Sequence, residues 1–186
     1  MKTTRLMTLT VGLVWVGSVW AAPALQQITP SATSYVDQAD FDVMNYSSVG
    51  DTTRPVTFVD IFSTNSGCEA ADFAGFPAGN IALLQRGTCT FFVKATNAAA
   101  AGATGVLIYN NIAGLLEGSL TASYSAGVPV MGLTQVLGQQ LVSTPDLAMR
   151  MFVDQTPLPP SIPEPGTLAL LGLGLAGLAA ARRRKQ

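Results

Sequence analysis

Apolar and polar positions follow two different periods through the middle of the chain. Residues 81–84, Ile-Ala-Leu-Leu, are continuously apolar and stop at Gln85-Arg86-Gly87, the pattern of a strand buried on both faces. From about Thr90 the period lengthens. Phe92, Ala95 and Ala99 share one helical face, while Lys94, Asn97 and Ala101 share another. The alanine run favours helix, and Gly102 stands where a C-terminal cap residue is wanted. Residues 105–109, Gly-Val-Leu-Ile-Tyr, form a second buried strand ended by Asn110-Asn111. Two buried strands joined by a helix predict a parallel pair with a right-handed crossover. Residues 128–133 predict a third buried strand, and Thr134 caps a short helix through Val142 with Leu137 and Leu141 on its buried face. Residues 147–153 close the unit as a strand.

The flanking patterns are weaker. Residues 56–62 are β-branched and aromatic enough for a strand, although Asp60 spoils the alternation. Residues 25–53 read as polar and irregular, with an edge strand near 41–44. Residues 63–79 form a long loop around Cys68. The Gly-, Ser- and Thr-rich stretch 112–127 predicts a mobile surface loop. The expected fold class is mixed α/β, rich in β, one domain built on a strand–helix–strand core.

Both ends carry a different pattern. Lys2 and Arg5, an apolar stretch over 6–20 and small residues near Ala22-Pro23-Ala24 read as a signal peptide, residues 1–24. The domain is expected over 25–155. Residues 156–162, Thr-Pro-Leu-Pro-Pro-Ser-Ile, form a Pro-rich extended spacer. Then come Pro163-Glu164-Pro165, an apolar run over 168–181, and Arg182-Arg183-Arg184-Lys185. As a helix that run reaches about 21 Å, short of the ~30 Å hydrocarbon core. Gly172, Gly174 and Gly177 weaken it further. The basic tail would stay on the cytoplasmic side and leave the domain outside.

Charge and chemistry narrow the function. Between the basic ends, four bases (Arg54, Arg86, Lys94, Arg150) stand against all eleven acids, about −7. An acidic domain does not neutralise phosphates, which excludes nucleic acid as a partner. The chain has no histidine, so the commonest general base and metal ligand is missing. Asp37, Asp40 and Asp42 lack the turn glycine and distal carboxylate of a calcium loop, and read as a solvated face. No metal or cofactor is expected. Two cysteines in an exported chain, Cys68 and Cys89, read as one disulfide; a nucleophilic Cys89 would have no histidine to activate it. Lys94 reads as a solvated helix lysine or a salt-bridge partner. Arg86 can hydrogen-bond loop carbonyls or a ligand carboxylate. Tyr109, Asn110 and Asn111 end a parallel strand, where α/β sheets place ligands and where asparagines also satisfy turn geometry.

Two stretches resemble known families. IALLQRGTCTFFVKATNAAAAGATGVLIYNN is similar to the central motif of the protease-associated (PA) domain family. Its marks are Arg86, Gly87, Cys89, Phe91 or Phe92, Lys94, Gly102, Ala103 and Tyr109-Asn110-Asn111. Val128-Pro129-Val130-Met131-Gly132-Leu133-Thr134, with Gly138 and Leu141, resembles that family's closing segment. The resemblance spans about 56–153. It implies the PA fold, a loop cysteine paired with Cys89, and a part in substrate or cargo recognition such as PA inserts have in proteases and receptors. Pro163, Glu164 and Pro165 with the apolar run and terminal bases resemble the PEP-CTERM sorting signal. That implies a transient membrane anchor recognised and removed by exosortase, and delivery to the cell envelope, surface or extracellular matrix. The resulting expectation is a non-catalytic exported PA domain, not an enzyme, that binds protein or peptide partners at a bacterial surface. The alternative is a structural or adhesive component of the extracellular polysaccharide matrix.

Overall fold

The structure is a computed structural model that describes residues 22–60, 63 and 65–154. Residues 1–21 of the expected signal peptide, the spacer, Pro163-Glu164-Pro165 and the apolar run 168–181 lie outside the described residues. Among the described residues no helix is long and apolar enough to cross a membrane.

The strands are β1 (Ala24–Thr29), β2 (Thr33–Ser34), β3 (Phe41–Val43), β4 (Gly50–Phe58), β5 (Ile81–Gln85), β6 (Gly105–Tyr109), β7 (Val130–Leu133) and β8 (Ala148–Val153). Helix α1 is Phe91–Ala100 and α2 is Gln135–Val142, with a 3-10 turn at Ala70–Phe73. The strands form one sheet in the order β2-β1-β8-β4-β5-β6-β7-β3. β4, β5, β6 and β7 run parallel, and the strands outside them pair antiparallel.

The central strands are buried on both faces, as their apolar runs require. Ala82, Leu84, Val106 and Ile108 face a core shared with Ala95 and Ala98 of α1. Ile81, Leu83, Leu107 and Tyr109 face the other core, shared with Leu137 and Leu141 of α2. Each fully buried leucine or isoleucine contributes roughly 1.5–3 kcal/mol, so these two layers dominate folding. Both helices start on a threonine cap: Thr90 Oγ1 accepts from Val93 N at 3.3 Å and Thr134 Oγ1 from Leu137 N at 3.1 Å. α1 ends at Gly102, which has φ +86°. Gly102 N bonds Ala99 O and Ala103 N bonds Ala98 O, a Schellman closure that a left-handed glycine permits. Gly138 serves α2 differently, since a Cβ there would lie 2.1 Å from Tyr109 Cβ. Helix and strand meet too closely for any side chain.

Three expectations are corrected. Residues 25–53 are not mainly irregular: β1 and β2 join the sheet, and β4 begins at Gly50 and ends at Phe58 rather than spanning 56–62. The first half of β4 is polar because it lies largely exposed, bridged to β8 by a two-pronged Arg150–Asp51 pair at 2.9 and 2.8 Å. The stretch 112–127 is not merely a surface loop. Leu116, Leu120 and Tyr124 are buried in the α1-side core, and Tyr124 OH donates to Val128 O at 2.9 Å. The third correction concerns α1. Its buried face is Lys94, Ala95 and Ala98, so Lys94 is neither solvated nor on the face opposite the core.

Candidate functional site

The parallel strands end at a polar corner. The Arg86 amide donates to Tyr109 O at 2.8 Å, and Arg86 Nη1 donates to Asn110 Oδ1 at 3.0 Å. Asn110 is 3% exposed, and its Nδ2 donates to Gly114 O and Leu115 O, both at 3.2 Å. Its amide therefore holds the β6–β7 connection in place. Tyr109 is buried beside Gly138, and burial pushes its phenol above the ordinary range. Asn111 is exposed, with its carbonyl accepting from Gln135 Nε2 at 3.0 Å. The structure thus brings Arg86, Tyr109 and Asn110 together and leaves Asn111 at the rim. The half-buried Arg86 guanidinium and exposed Asn111 are the members a ligand can reach.

A second cluster lies where the loop before β5 crosses α1. Cys68 and Cys89 form a disulfide with Cα atoms 5.7 Å apart. Lys94 Nζ donates to Ser66 O and lies 3.6 Å from Cys68 Sγ. Asn97 Nδ2 donates to Gly67 O at 3.2 Å and Cys68 O at 3.0 Å. Ser66 Oγ donates to Val59 O at 2.5 Å and accepts from Gln85 N at 3.1 Å. Burial lowers the Lys94 ammonium to about 8, opposed by the carboxylates of Asp72 and Asp60. Asp37, Asp40 and Asp42 stay in their own turn, where Asp40 accepts from Val36 N at 2.8 Å and Asp42 from Gln38 Nε2 at 2.5 Å. Among the described residues no three His, Cys, Asp or Glu side chains are gathered as a metal site.

The third feature was not anticipated from sequence. β4 pairs with β8 through Pro55 and with β5 from Val56 onward. Where β8 and β4 part, a cleft of about 480 Å³ opens, walled by Pro55, Val56, Phe58, Leu147 and Ala148 and edged by Asp146. In a parallel pair alternate residues face the same neighbour. Val59 N bonds Leu83 O of β5 at 3.0 Å, whereas Val56 N bonds Leu147 O at 2.9 Å. Phe58 has the Val56 orientation, so its backbone N–H and C=O turn into the cleft. Asp146 has φ +51°, and its carbonyl accepts from Thr29 Oγ1 at 2.5 Å. Only the Pro55 in the middle of β4 hinted at this break, since proline cannot donate to a ladder.

The PA domain family model matches residues 52–141, and the PEP-CTERM protein-sorting motif matches residues 161–185. This chain is a PA-domain protein with a PEP-CTERM sorting motif. An "Aminopeptidase" of Pseudomonas aeruginosa is 43% identical over 141 residues, covering 70% of this chain and 26% of that protein. A "Probable leucine aminopeptidase 2" of Aspergillus fumigatus is 38% identical over 120 residues, 63% of this chain and 22% of that one. Among solved structures, an aminopeptidase from Aneurinibacillus sp. strain AM-1 superposes with a TM-score of 0.60 at 30% identity, over 72% of this chain and 30% of that chain. A zinc aminopeptidase from Bacillus subtilis shares the fold with a TM-score of 0.55 at 24% identity, over 71% and 31%.

These relatives contradict the expectation that the protein is not an enzyme. Proteins 43% identical to it are named aminopeptidases, so this PA-domain protein is peptidase-related. It spans about a quarter of the length of those curated relatives. The sorting motif makes it an exported protein of the cell envelope, handled by exosortase.

Proposed function

We propose that this PA-domain protein recognises extended peptides or unfolded segments of protein partners at the cell surface. The cleft between β4 and β8 is the supporting observation. It offers apolar walls in Pro55, Val56, Phe58 and Leu147, and the backbone of Phe58 turned into it. An extended peptide adds to such an edge through main-chain hydrogen bonds and drops alternate side chains onto the apolar wall. Asp146 at the rim and the excess of acids favour peptides that carry positive charge. The aminopeptidase relatives support the same substrate class, because their names concern peptide chemistry. Arg86 and Asn111 are proposed as a secondary ligand contact, with Tyr109 and Asn110 holding them in position.

The test is fluorescence polarisation of labelled peptides with the exported full chain. Peptides of alternating apolar and basic residues are expected to bind saturably, and Asp146→Asn to weaken them about 5–10-fold. Asparagine tolerates the left-handed backbone at this position, so the variant isolates the charge. Binding of exopolysaccharide with no saturable peptide binding would refute the reading.

A further inference from the structure

The Lys94 cluster is asymmetric in a way the packing of a helix does not require. A lysine ammonium with no exposed surface lies against one sulfur of the disulfide, at 3.6 Å from Cys68 Sγ, and also donates to Ser66 O. Cys89 sits just before the Thr90 cap of α1. A helix N-terminus carries roughly half a unit charge, felt within its first turn, whereas the ammonium brings a whole charge into contact with Cys68. If the S–S bond opens, a thiolate is therefore better accommodated on Cys68 than on Cys89. The charged groups felt by Lys94 are Asp72 of the 3-10 turn and Asp60 after β4, and neither forms an ion pair with it.

The loop that carries Cys68 is also held without the disulfide. Ser66 Oγ links it to Val59 and Gln85, and Asn97 holds Gly67 O and Cys68 O. None of these hydrogen bonds runs through the S–S bond.

From this geometry we infer that Cys68–Cys89 is a polarised thiol–disulfide exchange site that reacts with dithiols, with Cys89 as the attacked sulfur and Cys68 as the leaving thiolate. One thiolate of the dithiol attacks Cys89 Sγ, the S–S bond breaks, and its electron pair leaves on Cys68 Sγ beside Lys94. The second thiol loses its proton to solvent and attacks the mixed disulfide. The reagent departs as an oxidised disulfide, and Cys89 leaves as a thiolate that takes up a proton. Two electrons pass from the dithiol to the protein. Lys94 is a positioning residue here, since it acts through the sulfur it touches.

The order of attack is directly readable. The oxidised full chain is treated with limiting glutathione, quenched in acid, alkylated and mapped by peptide mass. Glutathione is expected on Cys89 and the alkyl group on Cys68, by about tenfold over the reverse. Lys94→Met should bring that ratio to one or below and slow reduction about tenfold, while Lys94→Arg should keep the preference. If Lys94→Met fails to fold, the wild-type ratio at pH 7 and pH 9.5 replaces it, because the ammonium is lost near pH 8 and the preference should fall. Equal labelling of the two cysteines at pH 7, glutathione mainly on Cys68, or a ratio indifferent to both Lys94 and pH would overturn the proposal.

Discussion

At the scale of single residues, Lys94 gives the strongest prediction. Its folded-state pKa is lowered to about 8 by burial, below the ~10.4 of an unfolded lysine. Between those values the unfolded chain binds more protons, so stability rises with pH over that window. The gradient is at most about 1.4 kcal/mol per pH unit. Urea unfolding between pH 7.5 and 10 should show this rise, and Lys94→Met should flatten it. Above pH 10 the sign reverses. Burial pushes Tyr124 up to about 12, so the unfolded phenol loses its proton first and stability falls as pH climbs. A profile flat from pH 7.5 to 10 in the wild type would mean that Lys94 is charged and solvated in solution. The sequence could not place this residue. Helical periodicity marks the apolar stripe of α1, and a lysine beside it is ordinarily assigned to water. Its acceptor, Ser66 O, belongs to a loop 28 residues away, a contact no local pattern reports.

At the scale of elements, the stretch 112–127 and the disulfide loop behave as parts of the core. Leu116 is buried against Gly132, where a Cβ would lie 2.0 Å from Leu116 O. Leu116→Ala should therefore cost about 2–5 kcal/mol in denaturant unfolding; a loss below 0.5 kcal/mol would return the segment to the surface. Reduction of Cys68–Cys89, separated by 21 residues, should lower stability by roughly 3 kcal/mol while far-UV circular dichroism stays unchanged, because the Ser66 and Asn97 bonds persist. Strands β5, β6 and β7, both helices and the Thr134 cap were legible because each has a clean local signal: a continuous apolar run, a period change, or a cap at the right offset. The missed strands lack such signals. β1 buries Gln27, whose Nε2 donates to Ser31 O and whose Oε1 accepts from Tyr35 OH, so a core position looks polar. The spacing of Leu116, Leu120 and Tyr124 was a usable apolar signal inside 112–127, masked by its glycines and serines.

At the scale of the whole molecule, the sheet is built from two parts sharing β4. Its second half belongs to the parallel core with β5, and its first half to the antiparallel arm with β8 and β1. The cleft is the gap where that shared strand changes partners, which is why no single segment of sequence announced it. A peptide site at this junction fits an envelope protein related to aminopeptidases and carrying a sorting motif. The most direct measurement is amide chemical-shift mapping of the exported full chain during titration with an alternating apolar and basic peptide. Saturable shifts concentrated at residues 55–58 and 144–148, with smaller ones at Arg86 and Asn111, are the predicted result. Saturable shifts elsewhere, or none at the cleft, would contradict peptide recognition at the junction of β4 and β8.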